Sequence, residues 1–310
     1  YMFKMMNNAR LGVGVEGLAV AEGALQHAAA FALERRQGRA VGAPAGEQSP
    51  IVDHPDVRRM LLTMRAYIDA MRCVLYANSS ALDVAKRHPD PETRQAASDR
   101  AELLTPISKA WCTDLGVELT SIGIQVHGGY GYIEETGAAQ YLRDSRISPI
   151  YEGTNGIQAL DLVGRKLPLR EGGVVGDLLA EIGSLDASLA EAGAGFESIR
   201  VNLADAQAAT GEATRWLMAN GAGDPTDAMA GATPYLRMLG QLVGGWLLAR
   251  LALGAHRRLA DGGDDEFLAS KIVVARFYAE QLLPLARAQM GAVTAGASDL
   301  FALPADRFSA

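Results

Sequence analysis

The chain has 310 residues and a mass of 32.8 kDa, with 29 Lys and Arg against 36 Asp and Glu for a formal net charge of −7. Its 49% hydrophobic and 21% charged residues exclude a disordered or low-complexity chain and allow roughly two domains with real cores. The acidic balance weighs against nucleic-acid backbones and anionic membrane surfaces as partners, because both demand excess Lys and Arg.

Cys73 and Cys112 are the only cysteines, in neither CxxC nor metal-ligand spacing, so neither a disulfide framework nor a metal site is expected and a cytoplasmic location fits. No uninterrupted apolar run approaches the roughly 20 residues of a membrane span, and YMFKMMNNARLG has no signal-peptide layout. The chain starts at Tyr1 directly in a helical pattern, which points to a fragment entered in mid-protein.

From about Phe3 to Gln37, Leu11, Val15, Leu18, Ala21, Leu25, Ala28 and Ala32 recur at spacings of three and four, which predicts one long amphipathic helix. Glycines at 12, 14, 17 and 23 each weaken it unless a neighbouring backbone or a ligand needs the missing side chain. Gly38 to Pro55 is rich in Gly and Pro and reads as a loop. A second helix runs from Pro55 to about Arg87 with a Met-rich stripe, and a third from Asp90-Pro91 to the stop at Gly128-Gly129. Shorter helices are expected from Glu135 to Arg146 and from Asn155 to about Arg165.

After LVGRKLPLREGG the composition shifts toward Ala, Gly and Leu, with helical patterns at 174–192, 196–220, 226–261 and 264–291. The breaks SLDASLAEAGAG, ANGAGDPTD and LADGGDDE separate them. No segment alternates with a period of two, so no sheet is expected. The reading is all-α: a long antiparallel helical bundle over residues 1–168, then a second helical bundle over 169–310.

The densest unusual stretch is QVHGGYGYIEETGAAQYLRDSRISPIYEGTNGIQ, Gln125 to Gln158. Two glycine-rich breaks flank its short helix, and each leaves backbone N–H groups free beside a helix end. Glu152 sits between apolar Ile150-Tyr151 and the second break, where partial burial would suit a general base working near neutral pH. On the residues alone, a lone glutamate before glycine is usually a solvated turn residue. Histidines 27, 54, 88, 127 and 256 have no carboxylate or Cys partner in ligand spacing, and His127 reads as a packing residue.

IYEGTNGIQ, preceded at this spacing by RDSRI and QVHGGYGY, resembles the carboxy-terminal helical domain of the acyl-CoA dehydrogenase family of flavoproteins, over Arg10 to about Arg165. The resemblance implies that Glu152 is the catalytic base, taking a proton from Cα of an acyl-CoA while Cβ passes hydride to FAD. Its own backbone N–H would bind the thioester oxygen. The position that carries the base in other members is Ala9 here, which leaves Glu152 without a rival.

By the same resemblance Asn7 and Arg10 contact the CoA portion and Gly153 lies against the substrate. Glu34-Arg35-Arg36-Gln37-Gly38 is similar to the segment whose Arg reaches the FAD pyrophosphate across a subunit interface, so Arg35 and Gln37 become cofactor residues. Gln125 and Gly129 match positions holding the adenosine side of FAD from a neighbouring subunit, and Thr154 and Gly156 match positions that touch the flavin. An electron-transfer flavoprotein as acceptor and a homo-oligomer, dimer or tetramer, are implied with them.

Full family members place an amino-terminal helical domain and a middle β-domain before this region. The resemblance therefore implies a piece that holds half of two sites, binds FAD weakly at best and does not turn over alone. The region after about Leu169 resembles an extension found in a subset similar to methylthiopropionyl-CoA dehydrogenase. Its apolar helices, with Trp216, Tyr235 and Trp246, are expected to pack on the first bundle or on a second subunit. An acyl-CoA oxidase relative, reoxidised by oxygen, and a DNA-associated or structural relative are the alternative readings.

Overall fold

The computed structural model describes residues 2–221, 225–262 and 265–309, so Tyr1 and parts of two expected breaks, 222–224 and 263–264, lie outside the described residues. Among the described residues the only β pairing is one isolated antiparallel bridge between Arg36 and Pro50. The expected all-α class holds.

α1 (Met2–Glu34) and α2 (Pro55–Arg87) have 33 residues each, or about 50 Å at 1.5 Å per residue. α1 stops three residues short of the expected Gln37 because the backbone from 35 to 38 pairs with residues 49–51. Gln37 N–H donates to Ser49 O at 3.0 Å, Ser49 N–H to Gly38 O at 2.9 Å and Ile51 N–H to Arg35 O at 2.8 Å. Proline opens α2 at its first turn, as its fixed φ favours.

The third rod was expected as one helix but is two. α3 (Pro91–Pro106), capped by the Asp90 carboxylate on Thr93 N–H at 2.8 Å, passes through a π-turn (Ile107–Trp111) into α4 (Cys112–His127). Pro106 is the physical cause: it has no N–H to give the preceding turn and its ring crowds that turn. Carbonyls loosened by the wider turn are taken up elsewhere, that of Lys109 by Thr113 Oγ1 at 2.8 Å and that of Ala110 by Asn155 Nδ2 at 3.2 Å.

α1 lies against this rod at backbone contact. A Cβ on Gly14 would stand 2.2 Å from the Ser108 carbonyl oxygen, and one on Gly17 2.9 Å from that of Cys112. α4 stops at Gly128, whose φ of +60° suits glycine, and α5 (Gly129–Tyr132) follows. α6 (Ala138–Ser145) begins later than the expected Glu135, after Gly137 in the left-handed region, and α7 (Asn155–Asp161) runs into a second π-turn (Leu162–Lys166).

The extension contains α8 (Gly173–Gly183), α9 (Asp186–Glu191), α10 (Glu197–Asn220), α11 (Thr226–Ala230), α12 (Ala232–Ala260), α13 (Glu266–Phe277) and the short α14 (Pro284–Ala288), α15 (Met290–Thr294) and α16 (Ser298–Ala302). Three of the four expected helices are interrupted. The 174–192 pattern breaks at Ser184-Leu185. The 226–261 pattern breaks at Gly231, where the Val293 carbonyl oxygen would lie 2.3 Å from a Cβ. The 264–291 pattern breaks at a π-turn (Tyr278–Leu282) and Pro284; the Leu282 carbonyl accepts from Gln241 Nε2 at 2.8 Å.

α12 is long and apolar enough to cross a membrane by length and composition, yet 83% of its most apolar window is buried inside the bundle, against α2, α10 and α13. It is a core helix. Tyr235, Leu242 and Leu248 on it join one hydrophobic cluster that runs through both halves, from Leu18 to Val293. The extension thus packs on the first bundle within one chain.

A buried ion cluster fastens the same seam. Asp69 on α2 accepts from Lys271 of α13 at 2.9 Å and from Arg65 and Arg72 at 3.2 and 3.4 Å. Removing the charge leaves Lys271 buried without its counter-ion, while the two partly exposed arginines turn to water. Asp69→Asn is expected to cost about 2 kcal/mol in urea unfolding, less than a fully enclosed pair would.

Candidate functional site

The Glu152 turn is built by the chain around it. Ile147 to Asn155 folds back on itself, closed by Asn155 N–H on Pro149 O at 3.0 Å, and Thr154 caps α7 by accepting from Ile157 N–H at 3.4 Å. Glu152 is forced to φ +55° and Gly153 to φ +88°. A left-handed glutamate costs on the order of 1–3 kcal/mol and persists only where its surroundings fix it. The residue is half-buried, and among the described residues its backbone N–H has no protein acceptor.

Gly153 is needed for a reason the sequence did not show. A Cβ there would meet Gln158 Nε2 at 2.7 Å and Arg10 Nη2 at 3.7 Å. Arg10 is buried, not an exposed helix-start residue, and its Nη1 stands 3.8 Å from the buried Asp161 carboxylate. Arg10 Nε and Gln158 Oε1 are buried with no hydrogen-bond partner among the described residues. Asn7, one turn before Arg10, donates to Glu102 at 3.3 Å, and Glu102 also receives Lys166.

Three groups in this site escaped the sequence reading. Glu16 of α1 accepts from Ser148 Oγ at 2.9 Å and from the Tyr151 hydroxyl, whose hydrogen bond to that carboxylate pushes the phenol up to about 12. Asp114 of α4 accepts from Asn155 Nδ2 at 2.6 Å, and burial raises its carboxyl above the usual range. Lys109 of the π-turn is fully buried with Nζ 2.8 Å from Asn155 Oδ1. Burial pulls its ammonium down to about 8 against the pull of Asp114, Glu152 and Glu16; Arg10 pushes the same way as burial.

That shift has a sign. With a folded-state value of about 8 against 10.5 for an ordinary lysine, the unfolded chain holds more protons between those pH values, so stability rises there. The penalty of the buried charge is complete below pH 8 and gone by about pH 10.5. Lys109→Met is expected to be at least as stable as the parent at pH 7, by up to about 3 kcal/mol, with the gap closing toward pH 10 in paired urea titrations.

The other expected residues gather elsewhere. Arg35, Gln37, Gln125 and Gly129 line one cleft of about 730 Å³ together with Phe31, His54 and Tyr130. The Arg35 guanidinium lies 5.3 Å from the centre of the Tyr130 ring and donates to Gln37 Oε1 at 3.4 Å. His127 in the wall is indeed a packing residue: it stacks on Phe31 at 4.5 Å and donates Nδ1–H to Gly123 O at 2.8 Å, and burial lowers its imidazole's affinity for protons. No Cβ neighbour approaches within 4 Å at Gly128 or Gly129, so the backbone faces open space.

The structure therefore joins Arg10, Glu152 and Gly153 in one place and Arg35, Gln37, Gln125 and Gly129 in another. Thr154 and Gly156 are exposed beside the first, and the Thr154 hydroxyl is engaged as the α7 cap. From Arg10 to the end of α1 at Glu34 is about 36 Å along the helix axis. Among the described residues no group of three His, Cys, Asp or Glu could hold a metal.

Two family models cover most of the chain. The acyl-CoA dehydrogenase carboxy-terminal domain matches residues 1–167, and the acetyl-CoA dehydrogenase carboxy-terminal-like model matches 178–304. The 3-methylmercaptopropionyl-CoA dehydrogenase of Ruegeria pomeroyi is 46% identical over 295 residues, 95% of this chain and 50% of that protein. A butyryl-CoA dehydrogenase of Syntrophomonas wolfei is 31% identical, over 91% of this chain and 47% of its own length. An acyl-CoA dehydrogenase from Bacillus anthracis, solved with FAD, superposes with a TM-score of 0.69 at 20% identity over 94% of this chain and 49% of its own, a likeness of fold. The chain spans about half the length of the curated relatives it matches.

Proposed function

The chain belongs to the acyl-CoA dehydrogenase family, and from that premise we propose that it supplies the helical half of an FAD-dependent enzyme that oxidises an acyl-CoA to its trans-2-enoyl-CoA. The observation that carries the reading is the Glu152 turn: a half-buried glutamate and its own N–H, unpaired among the described residues, held in a left-handed conformation beside the buried Arg10. Such a turn can offer a base and a hydrogen-bond donor to neighbouring atoms of one substrate.

Glu152 takes the proton from Cα, and the electron pair of that C–H bond becomes the second bond between Cα and Cβ. The Glu152 N–H donates to the thioester oxygen, stabilising the charge that develops there as the proton leaves. FAD, when bound, supplies the acceptor for the hydride released from Cβ. Arg10, kept in place by Asp161, offers positive charge to the CoA portion, with Asn7 one turn along. The proton then passes from Glu152 to solvent.

The residues of the second cleft fit a dinucleotide. Arg35 presents a guanidinium fork for pyrophosphate oxygens, and Gln37, Gln125 and the open backbone at Gly129 line the remainder. Because this cleft lies at the far end of α1 from Glu152, one flavin cannot reach both, and the arrangement favours a homo-oligomer in which each copy's Arg35 and Gln125 serve a partner's FAD. Exposed Ile147, Ile150, Tyr151, Ile157 and Leu160 surround the Glu152 turn. An apolar surface of that kind suits a further domain that covers the acyl pocket. Electron-transfer flavoprotein is the proposed acceptor.

The test is anaerobic titration of the complete flavoprotein with acyl-CoAs of graded length, including 3-methylmercaptopropionyl-CoA. Bleaching of the oxidised flavin band by at least one thioester, with the matching enoyl-CoA as product, is the expected result. A flavin that stays oxidised with every thioester overturns the reading.

A further inference from the structure

The Glu152 turn is fastened at one foot by a single side chain. Asn155, the first residue of α7, gives its backbone N–H to Pro149 O and so closes the turn. Its side-chain amide donates to Asp114 Oδ1 at 2.6 Å, to Thr113 Oγ1 at 2.9 Å and to Ala110 O at 3.2 Å, which leaves Oδ1 as the one acceptor of the group. The Lys109 ammonium, fully buried, fills that place at 2.8 Å.

The Thr113 hydroxyl lies 3.3 Å from the same oxygen, but its one hydrogen goes to the Lys109 carbonyl at 2.8 Å, so the Lys109 ammonium is the donor that satisfies Asn155 Oδ1. An apolar side chain of similar volume would serve packing as well or better. What lysine adds is a charge enclosed among Asp114 of α4, Arg10 and Glu16 of α1, and Glu152 of the turn itself. The π-turn that bears it has no room to retreat. On α12, a Cβ at Gly240 would lie 2.5 Å from Trp111 Cγ and one at Gly244 2.9 Å from Trp111 Cη2, so the extension packs directly behind the indole.

We propose that Lys109 is the positioning residue of the Glu152 turn, acting through Asn155 to hold the carboxylate where it meets the substrate. The inference rests on Glu152 being the base. Lys109 touches neither the reacting carbons nor the flavin; its effect is geometric and electrostatic, delivered across the turn.

The experiment uses the complete flavoprotein with Lys109→Met and Asn155→Ser, either of which breaks the link. Both are expected to lower kcat for flavin reduction by about tenfold to a hundredfold, the scale of a misplacement near 1 Å, with KM within about threefold and the FAD-to-protein ratio unchanged. The parent rate should decline above about pH 8, where Lys109 loses its proton, and that decline should be absent from Lys109→Met. A kcat within about twofold of the parent in either folded variant, or a decline above pH 8 that survives in Lys109→Met, overturns the proposal. So does a loss of rate matched by loss of FAD. Should Lys109→Met fail to fold, Asn155→Ser decides through kcat, KM and FAD content. Glu152→Gln run beside them separates the two readings: if it reduces flavin like the parent, the base assignment fails, and if it is dead while Lys109→Met is fully active, only the positioning role fails.

Discussion

Glu152→Gln in the complete flavoprotein is expected to slow flavin reduction by acyl-CoA about 10³-fold, with FAD retained and substrate still bound, as followed by anaerobic stopped-flow absorbance. The amide keeps the size of the side chain and the backbone N–H, so the turn, its left-handed φ and the donor to the thioester oxygen remain. Only the capacity to take a proton is lost. Positioned proton transfer contributes 10²- to 10⁴-fold, and an α-proton beside a thioester, far less acidic than a carboxylic acid, places the effect well inside that range. Glu16 is the carboxylate best placed to replace it, and its geometry argues against it. Ser148 and Tyr151 donate to its two oxygens, which leaves none directed at a substrate. Glu16→Gln should therefore stay within about tenfold of the parent, through loosening of the Tyr151 side of the turn. If Glu16→Gln is the deeper loss, the base lies on α1.

What could be read along the chain was what repeats or is local. The three- and four-residue spacing of Leu11 to Ala32 and the bulky stripe of α2 located the rods, because one helix face must be buried whatever its partner is. Family-like motifs drew Arg35, Gln125 and Gly129 into one expected set, and they do line one cleft. Lys109 was hidden for a physical reason. Every residue from 103 to 113 is buried, because the π-turn packs against α1, α7 and α12, and partners so distant along the chain leave no mark in PISKAW. Pro106 was the available signal, a residue that cannot sit in a helix interior without cost. Asn155 and Asp161 could not be found at all by spacing, since their partners Lys109 and Arg10 lie 46 and 151 residues away. The early end of α1 has a similar cause: Arg35 and Gln37 leave the helix for bonds to residues 49–51 that local propensity does not register.

The glycines of α1 allow the sharpest test of the packing itself. A Cβ on Gly14 would lie 2.2 Å from the Ser108 carbonyl oxygen and 2.9 Å from Leu75 Cδ2, and the first of these is backbone in the rod that carries the π-turn. Neither helix can give way without opening the contact between α1 and α4, so Gly14→Ala is expected to cost about 3 kcal/mol or more and to lower the melting temperature by several degrees. Gly17→Ala, 2.9 Å from the Cys112 carbonyl, should follow in the same direction with a smaller loss. Gly12 is the control. It is exposed and a Cβ there meets nothing within 4 Å, so Gly12→Ala should raise stability by up to about 1 kcal/mol through helix propensity alone. Opposite signs at two positions one half-turn apart on one helix are what a backbone-to-backbone seam requires. Equal effects at Gly12 and Gly14, measured by urea unfolding, would mean that α1 does not lie against Ser108.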